Sequence, residues 1–141
     1  YMQAQEMGLT GRVRFYGPQR DIAEWHGMSD IHILPSRFDI FGNVVLEAMA
    51  MGVPTIVSAM AGAAEVVKEA ETGYVLQDPK DSDELASLIL KTIGATPDRL
   101  IALGENARLE AEKYSWDRHF TRMLEIYAEV KAAKARDQAA P

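Results

Sequence analysis

A chain of 141 residues has the size of one domain and can bury one modest core. With 48% hydrophobic and 26% charged residues it reads as globular, which excludes a disordered tail or linker. A net charge of −6, with Lys and Arg scattered among more numerous acids, excludes the basic face of a nucleic-acid-binding domain.

In chain order, residues 1–8 read as the end of a helix, closed by Gly8 and Gly11. Val13 to Tyr16 is expected as a short strand, ended by Gly17-Pro18. Asp21 to Met28 reads as a short helix, and Ile31 to Leu34 as a second strand stopped by Pro35. The loop from Ser36 to Phe41 leads into a helix over Asn43 to Met51, ended by Gly52 and Pro54. Thr55 to Ser58 is a third strand, Glu65 to Glu69 a short helix after Gly62, and Gly73 to Leu76 a fourth strand. Asp81 and Glu84 have the spacing of a capping box before a helix with Leu85, Leu88, Ile89 and Thr92 on one face. Thr96-Pro97 suits the N-cap and first position of the next helix. Ser115 is placed to cap the last helix, on which Phe120, Met123, Leu124, Tyr127 and Val130 form an apolar stripe. Residues 1–128 are taken as the domain, and 129–141 as the end of that helix and a tail expected to fray.

Short strands alternating with helices define an α/β domain with a Rossmann-like, mostly parallel sheet. Such sheets take ligands at the carboxyl ends of their strands, which directs attention to the loop from Ser36 to Gly42. The helix after it is apolar nearly all round and is expected to be buried. Glu47 is its only ionisable residue, and an unpartnered buried carboxylate is costly. Glu47 is therefore expected to face an opening and bind something. Helical side chains lean toward the N-terminus, so Glu47 lies about one turn behind the free amides near Gly42, Asn43 and Val44. Those amides form an anion site supported by the helix dipole. Phosphate at the tip and a carboxylate one turn away suit a nucleoside diphosphate, with the carboxylate accepting from the ribose hydroxyls and Gly42 allowing close approach. The competing reading is a helix acid satisfied by a salt bridge to a neighbour.

The stretch Ser36 to Ser58, SRFDIFGNVVLEAMAMGVPTIVS, resembles the signature of the retaining glycosyltransferases called family four, also known as glycosyl transferases group one, of GT-B fold. That signature places an acid, seven residues and then a Glu in the setting F-G-x-x-x-x-E-A-M-A-x-G-x-P; here the acids are Asp39 and Glu47. Val13 to Gly17, Ser29 to Ser36, Gly62 to Glu65, Thr72 to Val75 and Tyr114 to Trp116 are similar to further blocks in the same order, so the resemblance covers about residues 10–128. It implies the C-terminal, donor-binding part of a GT-B enzyme that transfers a sugar from a nucleoside-diphosphate sugar to an acceptor. It implies that Glu47 holds the ribose and that the amides of Asn43 and Val44 hold the diphosphate. Asp39, where the family usually has Glu, would act in catalysis, and with the backbone of Ile40, Phe41 and Gly42 would face the sugar and its leaving phosphate. No cofactor and no metal is implied, the donor being a substrate.

The resemblance also implies an upstream segment with two strands and an Arg–Lys pair, and an N-terminal acceptor domain, as the partners of these residues. Without them the chain is expected to lack transferase activity, to leave a gap in its sheet between the first strand and the other three, and to be open to intermolecular strand pairing or dimer formation. The first residue, Tyr1, fits a segment cut from a longer protein.

No apolar run approaches the ~20 residues of a membrane span, no signal-peptide pattern opens the chain, and cysteine is absent. The expected location is cytoplasmic, with the full-length protein peripheral at a membrane as the alternative. His26, His32 and His119 lack metal-ligand spacing and read as structural. The competing functions are a GT-B nucleotide-sugar epimerase, a non-catalytic nucleotide-binding module, and hydrolysis with Asp39 and Glu47 as acid and base.

Overall fold

The structure is a computed structural model; it describes residues 1–139, with side chains through Arg136. Three parallel strands lie in the order β1 (His32–Leu34), β2 (Thr55–Ser58), β3 (Gly73–Leu76). His32 pairs with Thr55, and Thr55 with Gly73. The central strand is buried at all four residues. Its side chains alternate between the two faces of the sheet. Val57 joins a core with Val45, Met49 and Ala107, whereas Ile56 joins Tyr74 and Leu76 beneath Leu85, Leu88 and Ile89. Two helical layers thus cover the sheet. One holds α3 (Asn43–Ala50) and α5 (Pro97–Ala111), and the other holds α4 (Ser82–Ile93). The α/β class read from the sequence is the class observed.

Local signals account for most helix ends. The Asp81 carboxylate accepts from the amides of Asp83 and Glu84 at 3.0 and 2.9 Å. Glu84 does not complete the expected box; its carboxylate turns to the amides of Gln77 and Asp78 at 3.0 and 3.2 Å and ties the β3–α4 loop to the helix. Thr96 caps α5 through Arg99 N, and Ser115 Oγ accepts from Arg118 N at 3.4 Å at the head of α6 (Trp116–Ala139). Most of the apolar stripe on α6 stands in solvent, with Leu124 at 67% exposure, while Met123 is half-buried. α6 continues helical past Val130 to Ala139; residues 140–141 of the expected fraying tail lie outside the described residues. No described helix is long and apolar enough to cross a membrane.

Three expectations fail. Val13 to Tyr16 forms no strand, so the sheet has three strands rather than four. A strand needs a neighbour for its backbone groups, and among the described residues none pairs with these. The segment makes aromatic contacts instead: the Tyr16 ring packs tilted against Trp25 with centroids 4.4 Å apart, and Phe15 meets Tyr1 edge-on at 6.1 Å. The expected gap between strands is accordingly absent; β1–β3 are contiguous, and the outer edge of β1 is unpaired among the described residues. The helix expected at Glu65 to Glu69 is a 3-10 turn over Gly62–Val66. Beyond it Ala70 adopts a left-handed conformation, φ 59°, and the Glu69 carboxylate accepts from Val75 N at 3.1 Å, an arrangement that a continued helix would forbid. Preceding β1 are α1 (Met2–Glu6) and α2 (Ile22–Gly27).

His26, from α2, is buried, and its ring meets that of His32 edge-on at 5.2 Å. Neither Nε2 has a partner among the described residues. Burial first, and the His26 ring second, push the His32 imidazole down to about 4. Its folded pKa lies below its unfolded one, so the stabilisation by neutral His32 is complete above about pH 6.5 and is lost as pH falls through 4. Thermal melts should show an acid-side loss of about 1–3 kcal/mol between those pH values. His32→Phe, which keeps an aromatic ring and removes the proton site, should flatten that limb.

Candidate functional site

Three buried residues orient α3. Val45, Ala48 and Met49 have no exposed surface and face the sheet and α5. The sequence predicted a buried helix with an opening at Glu47; the structure buries one face only. Val44 and Leu46 are half-buried, while Asn43, Glu47 and Ala50 are exposed. The exposed face lines a cleft of about 880 Å³. Asn43, Leu46, Glu47 and Ala50, three or four residues apart, form one wall. Glu47 therefore opens into a cleft, and it makes no ion pair among the described residues, so the salt-bridged reading of this acid is not the observed one.

The opposite wall comes from the end of α5, the 3-10 turn Glu112–Tyr114 and the start of α6. Tyr114, Trp116 and His119 supply aromatic surface there, and Lys113, Arg118 and Arg122 supply positive charge. Two of these cations are held by acids of their own. Lys113 Nζ contacts Glu110 Oε2 at 2.7 Å, and Arg122 reaches Glu125 and Glu129. The same Glu110 oxygen takes Lys68 Nζ at 2.6 Å. Its two lysines, Lys113 first, hold the Glu110 carboxyl below its ordinary range despite burial. Arg118 forms no ion pair among the described residues. Sequence reasoning missed this wall, His119 included, because its residues are remote from α3 in the chain. The available signal was the spacing of 115, 118, 119 and 122 on one side of a helix, just after the Tyr-Ser-Trp block.

The tip of α3 is built by a clamped loop. Gly42, the N-cap, has φ 79°, a left-handed conformation open to glycine. A Cβ there would lie 2.8 Å from the Leu34 side chain. The first bond of the helix runs from Val45 N to Gly42 O at 2.9 Å, and no side chain caps the end. The amides of Asn43 and Val44 thus precede the ladder and are free to meet a ligand. Behind the tip, Asp39 pairs with Ala61; Gly62 N donates to Asp39 O at 3.1 Å and Ala63 N to Phe41 O at 2.7 Å. Asp39 is half-buried, and its Oδ1 accepts from Phe41 N at 3.2 Å. The side chain of Ile40 stands 86% exposed. Of the seven residues singled out from the sequence, Phe41, Asn43 and Glu47 line the cleft. Asp39, Ile40, Gly42 and Val44 form or adjoin the loop and tip at its edge.

Residues 1–110 match the family of glycosyl transferases group 1. The chain belongs to that family. It is 34% identical over 130 residues to a D-inositol 3-phosphate glycosyltransferase of Thermomonospora curvata, covering 91% of this chain and 30% of that protein. Among solved structures, sucrose-phosphate synthase from Thermosynechococcus elongatus is similar at a TM-score of 0.84 and 31% identity, over 94% of this chain and 33% of that one. The Anabaena protein HepE, solved with UDP-glucose, is similar at a TM-score of 0.78 and 27% identity, over 91% of this chain and 35% of that one. The chain thus spans about a third of the length of these relatives. Its fold is that of part of a GT-B glycosyltransferase.

The clamp leaves no room for a side chain at Gly62, where a Cβ would sit 2.1 Å from Ile40 O. Gly62→Ala should lower stability by about 2 kcal/mol or more. It should also speed hydrogen exchange at Ala63, whose amide holds Phe41 O. A thermal melt and an exchange measurement read the two effects.

Proposed function

We propose that this chain is the donor-binding part of a retaining glycosyltransferase that takes a nucleoside-diphosphate sugar. The observation that carries the reading is Glu47, four residues behind Asn43 on the exposed face of α3, opening into the cleft beside an uncapped helix tip. An anion at the tip meets the amides of Asn43 and Val44 and the positive end of the helix dipole. One turn further, the carboxylate accepts from a pair of vicinal ribose hydroxyls. The relatives add support: HepE is solved with UDP and with UDP-glucose.

In this reading the chemistry asked of these residues is electrostatic. As the bond between the sugar and the diphosphate breaks, negative charge grows on the departing phosphate. Donors already fixed at the helix tip stabilise that charge without reorganising. Glu47 contributes binding and orientation, holding the nucleoside so that the phosphate stays on the tip. No metal enters this account, and the acceptor is met by residues outside this chain.

Calorimetric titration of the chain with UDP tests the reading. Binding is expected, and Glu47→Ala should weaken it about tenfold or more, as loss of charge-assisted hydrogen bonds does. Absence of binding by the unaltered chain overturns the donor-site assignment.

A further inference from the structure

Asp39 is engaged through both its backbone and its side chain. Its carbonyl accepts from Gly62 N, and its Oδ1 accepts from Phe41 N, closing a turn two residues long. The carboxylate also lies against the helix cap: a Cβ on Gly42 would be 3.6 Å from its Cγ and 3.7 Å from its Oδ1. It caps no amide of α3, yet it sets a negative charge beside the positive end of that helix. A side chain one methylene longer would carry its carboxylate further from Phe41 N and alter the turn.

We infer that Asp39 is a positioning residue: its carboxylate folds the 39–42 turn that aims the tip of α3, and it acts on the donor through that tip rather than by gripping the sugar. The inference rests on the donor reading above. Two opposed effects are combined in one side chain. The acceptor atom Oδ1 shapes the tip, while the charge repels an incoming diphosphate. Asparagine separates them, since Asp39→Asn keeps an Oδ1 acceptor and removes the charge. Asp39→Ala removes both.

The experiment compares the unaltered chain with these two variants, titrating each with UDP and UDP-glucose and following exchange of the Phe41 amide without ligand. Asp39→Ala should expose the Phe41 amide and weaken UDP and UDP-glucose by the same factor, about 3–10-fold for one lost hydrogen bond. Asp39→Asn should keep Phe41 protected and bind UDP at least as tightly as the unaltered chain. The proposal is overturned if Asp39→Ala leaves Phe41 exchange unchanged. It is equally overturned if Asp39→Asn weakens binding as much as alanine does, or if either variant weakens UDP-glucose alone, since those results place the carboxylate on the ligand. Failure of the unaltered chain to bind UDP sinks the donor reading and the role of Asp39 toward the donor with it, whereas the exchange result reports on the turn alone.

Discussion

The burial of one face of α3 is the constraint from which the site follows. Val45, Ala48 and Met49 are fully enclosed between the sheet and α5. Burying a side chain the size of Val or Met is worth about 1.5–3 kcal/mol, and these positions lie on one side of the helix, so its rotation about its own axis is fixed. Once that rotation is fixed, Asn43 and Glu47 must face outward together. The end of the same helix is located independently, by the carbonyls of Asp39 and Phe41 accepting from the amides of Gly62 and Ala63 at the start of the 3-10 turn. Orientation comes from apolar burial and placement of the tip from backbone hydrogen bonds.

Around that helix the cleft is asymmetric in charge. Glu47 and the helix tip stand on one wall, and Lys113, Arg118 and Arg122 on the other. Glu110 is the buried acid that brings Lys68 and Lys113 together, and it therefore ties the segment before β3 to the turn that starts the second wall. Asn106 and Arg99 add bonds from α5 to the carbonyls of Glu71 and Ala70. The far wall is thus anchored to the sheet through the 68–72 segment as well as through the helices. For a glycosyltransferase family member, this gives both sides of the cleft a rigid attachment to one core.

Most of the elements were legible in the sequence, and the reasons are local. Asp81 and Thr96 were readable as caps because capping is decided within three residues. The β1–α3–β2 unit was readable because a strand, a loop and a helix ended by Gly52 succeed one another at the spacing the chain geometry demands. Val13 to Tyr16 was misread for the opposite reason: strand propensity is a statement about a neighbour, and none of the described residues pairs with this segment. The box at Glu84 failed because its carboxylate found two amides of the preceding loop, a tertiary alternative that spacing does not reveal. In the site, Glu47 could be singled out as one acid in an apolar helix. The half-exposure of that helix could not, because hydrophobic composition does not say which face lacks a neighbour. The clamp behind the helix tip was also invisible, since it depends on the amides that Gly62 and Ala63 supply from about twenty residues further along the chain.

The contact between α3 and α5 has its own mechanical meaning. Gly52, just past α3, and Gly104, in α5, come so close that a Cβ on Gly104 would lie 2.2 Å from Gly52 O. Main chain rests on main chain there, with no rotamer between them to yield. The two segments must then travel as one piece, so the wall that α3 presents to the cleft keeps its place relative to Ala111, where α5 reaches the opposite side.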